Sequence, residues 1–370
     1  MFSTGKTKSV VGLDIEAGSI AASEVRENGS VAVTGTGIVP LEPGVFREGE
    51  VTDQEALVGA LKELFSKHEL SKTVRLGIAN QRLAVRNLHL PLIEDERELE
   101  TAVRFQAQDH LPMPLEHAVF DFQVVDRTSG EAGDRRVEVV AVAARRDMID
   151  SMLTALRGAG LRPVGIDLSA FGMIRALAGE LPQSAAAGAS YEEHTEQGGD
   201  AMPANLVPAT LYCNLGDVTN LAVARGSTCL FTRISSFGAE GIAQRLAERR
   251  GLTLHDARAW LFHVGLERPI EELEGDRETI EATREVLAEG AAKLADELRL
   301  SLEFYRTQEG AAMVESVVAC GPGSTIPGLT GRLERELGQR FEVGRPRALS
   351  HLDDAAAARL TLSYGLAREE

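Results

Sequence analysis

The sequence has few cysteines and few aromatic residues. Its three cysteines, Cys213, Cys229 and Cys320, are widely spaced and lie outside any CxxC pattern, which excludes a disulfide framework and a cysteine-based metal site. We interpret them as small core residues in a protein of a reducing compartment. Aromatic residues make up only 5% of the 370 residues, whereas there are 36 glycines. This composition is typical of an α/β protein with tight turns, and the length favours two lobes.

Long hydrophobic runs and an excess of positive charge are also missing. Residues 1–9 lack the apolar stretch of a signal peptide, and the apolar runs are far shorter than the ~20 residues of a membrane helix. The net charge of −17 repels nucleic acid and anionic lipid. We therefore predict a cytoplasmic protein that binds no nucleic acid and does not insert into a membrane. A nucleotide is compatible with this charge, because backbone N–H groups and a metal ion can bind phosphate without a basic surface.

The signatures of common hydrolases are absent from the sequence. Its eight histidines form no HxH or HExxH pattern, and there is no GxSxG motif. A metalloprotease or a serine hydrolase is therefore disfavoured. The single tryptophan, Trp260, lies in a predicted helix from Leu254 to Val264, where we interpret it as a packing residue.

One strand-turn-strand pattern occurs twice, about 200 residues apart. Each copy starts with four apolar residues, continues through a polar residue and a turn of small residues, and then enters an alternating stretch and a third strand. The copies align without a gap through the first hairpin, so that Asp14 matches Asn214 and Ser19 matches Thr219. The spacing is far too long for a solenoid repeat. A duplicated domain, one copy in each half, is therefore predicted.

The repeated turns contain the kinds of groups that bind phosphate in proteins. Two small-residue turns that face each other across a cleft can cradle phosphate groups with backbone N–H donors. A carboxylate at the strand end, here Asp14, can hold the water shell of a metal ion. The alternative is an ordinary β-meander in which Asp14 is a turn residue. The presence of two matching copies favours the phosphate-loop hypothesis.

A glycine-rich turn near residue 320 supports the same cleft. Val317–Ala319 predicts a short strand, and the sequence from Cys320 to Leu329 contains three glycines before a helical pattern that runs through Leu337. Glycines at such a turn let a ligand approach the backbone closely. The spacing fits neither a Walker A loop nor GxGxxG, so this signal is weak by itself.

The remaining segments define the predicted domain organisation. Alternating and helical patterns predict strands at Val74–Ile78, Leu83–Leu90, Val119–Val125 and Val137–Ala143, and helices at Glu94–Asp109, Asp147–Gly158, Ser169–Ala178 and Val286–Tyr305. We predict a first lobe at residues 1–183 with a small α/β subdomain inserted at about 37–165, and a second lobe at 206–370. Between them, residues 184–205 are predicted to be a disordered loop.

Six segments spread over nearly the whole chain carry a family likeness: Val11–Ile15, Leu90–Pro114, Phe120–Val124, Gly160–Ala170, Asn214–Gly216 and Ser301–Tyr305. Together they resemble the PilM family of type IV pilus assembly proteins, a branch of the actin-like superfamily related to the cell-division protein FtsA. The resemblance implies an α/β, actin-like two-lobed fold of duplicated RNase H-like domains, with the subdomain inserted in the first lobe. It also implies a scaffold that sits at the inner membrane through a partner.

The resemblance implies ligands, partners and site residues as well. ATP and Mg²⁺ would bind in the interlobe cleft, and the inserted subdomain would dock the short cytoplasmic tail of the inner-membrane protein PilN, alongside other pilus assembly proteins. Asp14 would be the metal residue, and Asp167 the catalytic carboxylate near the terminal phosphate. By match to the family pattern, the cofactor-binding residues are Asp14, Gly18, Ser19, Asn214, Gly216, Thr219, Gly238, Lys293, Glu297, Gly321, Gly323 and Ser324.

The sequence departs from the family pattern in both turns. The family's first loop typically reads Asp-Ile-Gly-Ser with a Lys a few residues on, whereas this chain has Glu16 in place of the Gly and Ala21 in place of the Lys. The second loop usually begins with Asp, and here Asn214 keeps the shape without the charge. Phosphate therefore loses a counter-charge and the metal loses a ligand. We expect weak or absent ATP hydrolysis.

Alternatives stay open for single residues and for the function. Lys293 and Glu297 have the spacing of a solvated helix pair, and Asp167 has the position of a helix cap. An active phosphotransferase is a second functional class, because sugar and metabolite kinases share this fold. An FtsA-like filament-forming protein is a third, although the short, acidic end at Leu360–Glu370 does not suggest a membrane helix.

Overall fold

A computed structural model describes residues 9–27, 29–128, 136–179, 208–308 and 310–369. The chain forms two compact units, a larger one made of the residues before Asn80 and after Thr154, and a smaller one at Asn80–Thr154. The predicted loop at 184–205 and residues 129–135 lie outside the described residues.

The larger unit contains two five-stranded sheets of the same design. The first has the order β10-β6-β1-β2-β3 and the second the order β13-β12-β11-β14-β15. In each sheet an antiparallel meander of three strands is extended by two parallel strands. This shared order confirms the predicted duplication. The strands are β1 (Val10–Glu16), β2 (Ser19–Glu27), β3 (Val31–Pro40), β6 (Thr73–Ile78), β10 (Arg162–Leu168), β11 (Ala209–Leu215), β12 (Thr219–Arg225), β13 (Thr228–Ser235), β14 (Val314–Cys320) and β15 (Phe341–Val343), with a separate pair β4 (Phe46–Arg47) and β5 (Glu50–Val51).

Helices cover these sheets, and several of them begin at an Asp or Thr N-cap. The predicted helix at Val286–Tyr305 is the second part of a longer one that begins at Arg277, because the Asp276 carboxylate accepts the Thr279 N–H and the buried Ile280 and Thr283 continue its apolar face. Among the described residues, no helix is both long and apolar enough to cross a membrane. The helices are α1 (Gln54–Lys67), α2 (Glu96–His110), α3 (Arg146–Gly158), α4 (Ser169–Leu177), α5 (Ala239–Arg250), α6 (Leu254–Val264), α7 (Arg277–Arg306), α8 (Leu329–Leu337) and α9 (Asp354–Ala367).

The smaller unit is a three-stranded antiparallel sheet with a helix. Its strands are β7 (Ala84–Pro91), β8 (Ala118–Thr128) and β9 (Arg136–Arg145), in the order β7-β9-β8. Helix α2 buries Leu99, Val103 and Ala107 in a core shared with the sheet. The strands and the helix predicted from this stretch of sequence are confirmed to within a few residues.

The C-terminal helix α9 packs unusually close to the first sheet. Nearly all of its residues from Ala357 to Ala367 are buried. A Cβ atom on Gly12 of β1 would lie 1.9 Å from the Ser363 carbonyl oxygen, and one on Gly365 would lie 1.8 Å from the Gly172 carbonyl oxygen of α4. Glycine at these positions therefore allows direct backbone contact between helix and strand, and between the two helices.

We expect Gly12→Ala to destabilise the protein by about 3 kcal/mol, the upper end of the usual cost of overpacking, because the added methyl group overlaps helix backbone that cannot move aside. Gly59→Ala is the matched control, since this exposed glycine in α1 has no atom within 4 Å of the added Cβ. Removing a helix-interior glycine should there stabilise by about 0.5–1 kcal/mol. Urea unfolding followed by circular dichroism measures both, and equal effects of the two substitutions would contradict the close packing of α9.

Candidate functional site

The two repeated turns meet each other directly. The first turn, Ala17–Gly18, joins β1 to β2, and the second turn, Gly216–Val218, joins β11 to β12. The Ala17 N–H donates to Asp217 Oδ2 at 2.9 Å, and the Val218 N–H donates to Asp217 Oδ1 at 2.7 Å. A single carboxylate therefore accepts an N–H group from each turn.

Glu16 extends from the end of β1 towards the second turn. Its Oε1 lies 3.4 Å from Asn214 Nδ2, a long hydrogen bond. A Cβ atom on Gly216 would lie 2.2 Å from the same Oε1. The absence of a side chain at Gly216 thus leaves the space that the Glu16 carboxylate fills.

Arg359 of α9 is the buried cation of the site. Its guanidinium pairs with the Asp14 carboxylate, and its Nε donates to Ser19 Oγ at 2.7 Å. It also lies 3.7 Å from Glu16 Oε2 and donates to the Ser19 carbonyl oxygen at 2.8 Å. Asp14 and Arg359 are 4% and 6% exposed, so the pair is removed from solvent. Asp14 and Glu16 therefore share one buried guanidinium, and Asp217 adds a longer-range electrostatic interaction with it.

This shared burial raises the pKa of two of the carboxyl groups. Burial raises the pKa of Glu16 to about 8, opposed by Arg359 and reinforced by Asp217 and Asp14. Burial also raises the pKa of Asp217 to about 6, against the N–H groups of Ala17 and Val218, which stabilise its ionised form. At neutral pH, Glu16 is therefore mostly protonated while Asp217 is mostly ionised. Among the residues that the structure describes, no cluster of three or more potential ligands is arranged to hold a metal ion.

The glycine-rich turn lies next to the end of β11, at the start of the second turn. A Cβ on Gly321, where φ is +78°, would lie 2.1 Å from Asn214 Oδ1, and one on Gly323 would lie 2.7 Å from the Leu215 carbonyl oxygen. The Ser324 hydroxyl donates to the Gly321 carbonyl oxygen at 2.7 Å. These contacts bring Gly321, Gly323 and Ser324 together with Asn214.

Two further predicted residues lie next to the second turn. A Cβ on Gly238 would lie 2.5 Å from the carbonyl oxygens of Gly216 and Asp217. The hydroxyl of Thr219 donates to the Phe237 carbonyl oxygen at 2.7 Å. Both residues therefore shape the turn from within the second lobe.

The structure places the other predicted residues farther from the two turns. Lys293 of α7 lies over the Phe237 ring at 4.0 Å, next to Gly238, and Glu297 is half-buried one helical turn on. Asp167 at the end of β10 pairs with Arg175 of α4. The helix cap of α4 is Leu168, without a side-chain hydrogen bond, so Asp167 does not make the capping contact considered from the sequence. Its carboxylate is instead engaged in the packing of the first lobe.

Sequence reasoning missed three charged residues of the site. Arg359 and Asp217 make its central contacts, and the Arg258 guanidinium of α6 lies against the first turn, 3.0 Å from where a Cβ on Gly18 would be. Arg258 is itself held by Glu240. The only available signal was an Asp inside the second turn at 217, where backbone N–H groups gather. Nothing local marks Arg359, whose partner is 345 residues away in sequence.

A family model supplies the decisive comparison. The model described as type IV pilus assembly protein PilM matches residues 12–190 and 213–363, most of the chain. The chain belongs to the PilM family. A solved structure titled "PilM-PilN type IV pilus biogenesis complex" is similar to this PilM-family chain at 26% identity and a TM-score of 0.77, covering 98% of each chain.

More distant structures share the fold alone. The ethanolamine utilization protein EutJ from Carboxydothermus hydrogenoformans matches at 14% identity and a TM-score of 0.52, over 97% of this chain and 89% of that one. MreB5 of Spiroplasma citri, solved with AMPPNP, matches at 12% identity and a TM-score of 0.50, over 98% and 95%. The two-lobed, actin-like fold predicted from the sequence is thereby confirmed.

The raised pKa of Glu16 gives this PilM-family chain a testable pH dependence. Between pH 4.5 and about 8 the folded state holds a proton on Glu16 that the unfolded state has lost. The stability that this proton provides is fully present below pH 4.5 and is lost as the pH rises through about 8. We expect Glu16→Gln to flatten the fall in unfolding free energy between pH 5 and pH 8, measured by urea unfolding. Glu63→Gln removes an exposed carboxylate of the same lobe and should leave the slope as in the wild type; equal slopes for all three proteins would contradict the assignment.

The Asp14–Arg359 pair should be essential to stability. Arg359→Met leaves a buried carboxylate without its cation, which we expect to cost about 3–5 kcal/mol of unfolding free energy. Asp14→Asn added to Arg359→Met should recover part of that loss, because the uncompensated charge is gone. Arg345→Met, which breaks an exposed pair with Asp354, is the control and should cost less than about 1 kcal/mol. A double variant no more stable than Arg359→Met would contradict a charge-based role.

Proposed function

We propose that this protein is a scaffold of type IV pilus assembly that docks the cytoplasmic tail of a PilN-like inner-membrane protein and hydrolyses ATP weakly or not at all. The main support for this proposal is the structural similarity to the solved PilM–PilN complex, which covers 98% of both chains. The family match over most of the chain supports the same role. Neither an active phosphotransferase nor a filament-forming division protein is favoured by these matches. In this role the scaffold is held at the inner membrane through its partner and works alongside other pilus assembly proteins.

The smaller unit, Asn80–Thr154, is the proposed tail-docking part. Helix α2 of this unit carries Phe105, whose side chain is 73% exposed, more than any other large apolar residue among the described ones. One residue earlier, Arg104 lies over the ring of Phe120 on the edge strand β8, 5.2 Å from its centroid. An exposed aromatic beside an arginine is the composition of a peptide-binding hot spot.

The weak or absent hydrolysis follows from the residues at the two turns. Ala21, buried in β2 opposite Asp14, offers no positive charge, and Asn214 offers no carboxylate. Asp14, the predicted metal residue, is committed to Arg359. A triphosphate with Mg²⁺ does not fit this arrangement, because the Ala17 N–H group is already bound to Asp217 and the space beside Gly216 is filled by Glu16. ATP and Mg²⁺ therefore stay predictions of the sequence, and the proposed scaffold does not depend on them.

A synthetic peptide with the sequence of the cytoplasmic tail of a PilN-like protein from the same organism tests the docking role. We expect saturable binding in isothermal titration calorimetry and none with a scrambled peptide. Phe105→Ser should weaken the affinity by at least ~10-fold, the effect of losing one hot-spot aromatic. The control is Phe304→Ser, which removes a 55% exposed aromatic from α7 of the larger unit and should leave the affinity unchanged.

The possible results distinguish whether the tail docks at all from where on the protein it docks. A native peptide that does not bind would overturn the docking role. Binding that Phe105→Ser leaves intact would place the tail on another surface and keep the scaffold role.

A further inference from the structure

We infer that the phosphate subsite of this chain is filled by its own Asp217 and Glu16, which join the two turns without a nucleotide. The inference goes beyond the proposed function and does not depend on tail docking. The actin-like fold places two phosphate-binding turns face to face, but the residues that this chain has at those turns are not those of a phosphate site.

Asp217 acts as a built-in anion. Its two carboxylate oxygens accept one N–H group from each turn, Ala17 at 2.9 Å and Val218 at 2.7 Å. Backbone donors gathered at a turn are the groups that would otherwise bind a phosphate oxygen. The Ala17 donor of the first turn is thus engaged by the second turn itself.

Glu16 fills the neighbouring volume. Its carboxyl group lies within 2.2 Å of the place where a Cβ on Gly216 would be, and 3.4 Å from the Asn214 amide. Glu16 is 8% exposed, so little solvent separates the turns here. The glycine that leaves room for a ligand in a phosphate loop leaves room here for a side chain of the opposite turn.

The charged side chains beside the two turns are also bound to groups of the chain itself. Arg359 is bound to Asp14 and Ser19, and Arg258, beside the first turn, is bound to Glu240. Both arginines near the turns are thus already paired with carboxylates. A nucleotide would have to displace Glu16, break the Ala17–Asp217 bond and compete for these arginines. The two halves of the larger unit are consequently joined at the turns in the nucleotide-free protein.

The test compares MgATP binding by the full-length protein and two double variants, using isothermal titration calorimetry. Wild type should show no saturable binding up to ~1 mM MgATP. Glu16→Gly with Asp217→Ser empties the subsite and should bind at least ~10-fold more tightly than wild type. Glu16→Gln with Asp217→Asn removes both carboxylates but keeps their volume, and should bind no better than wild type.

Each other result overturns the inference. A dissociation constant below ~0.1 mM for MgATP and the wild type would show that the subsite is open to a nucleotide. If Glu16→Gly with Asp217→Ser folds but binds MgATP no better than wild type, these two side chains are not what blocks binding. If Glu16→Gln with Asp217→Asn gains as much affinity as that variant, the negative charge of the side chains, and not the volume they fill, blocks binding.

Hydrogen exchange on the wild type gives a second measurement should the emptied variant fail to fold. Peptides that cover the first turn and peptides that cover the second turn should each show the same protection from exchange with and without 5 mM MgATP, which is about five times the highest concentration in the titration, ~1 mM. A rise in protection of both turns on adding MgATP would contradict a subsite filled by the chain.

Discussion

The buried ion pair between Asp14 and Arg359 holds this structure together at its centre. A charged pair out of solvent is tolerated only when its partners and hydrogen bonds are complete, and Arg359 meets this demand by bonding Asp14 and both Ser19 oxygens. These bonds fix the end of β1 and the start of β2 on either side of the first turn. They also hold α9 against the sheet, where Gly12 permits backbone contact. The position of Glu16, and hence the contact between the turns, depends on this pair.

The two turns illustrate how a fold can keep its shape while its chemistry changes. The strand order is the same in both halves, and the glycine-rich turn still lies against Asn214. As inferred above, the groups that would handle phosphate are replaced in this chain by groups that bind one another. For the proposed scaffold, the bond between Ala17 and Asp217 would link the two halves of the larger unit without a ligand.

Much of the architecture could be predicted from local patterns. The duplicated hairpins, the helix at Leu254–Val264 and the strands of the smaller unit follow from periodicity and turn residues. The start of α7 was missed because its first turns are acidic and their buried face, Ile280 and Thr283, is sparse. Asn214, Gly216, Gly238 and Gly321 were named together only through the family resemblance; the structure brings them close together, and their role in binding a cofactor stays a prediction. Arg359 and the bond from Ala17 to Asp217 were not predicted, since contacts 345 and 200 residues apart leave no local trace.

The packing of α9 also bears on the order in which the chain can fold. Strand β1 is made first during synthesis, whereas the helix that covers it and carries its counter-ion comes from residues 354–367. Until that helix emerges, Asp14 has no cation and the face of β1 around Gly12 stays open to water. The packing of the first lobe is therefore complete only after residues 354–367 have been made.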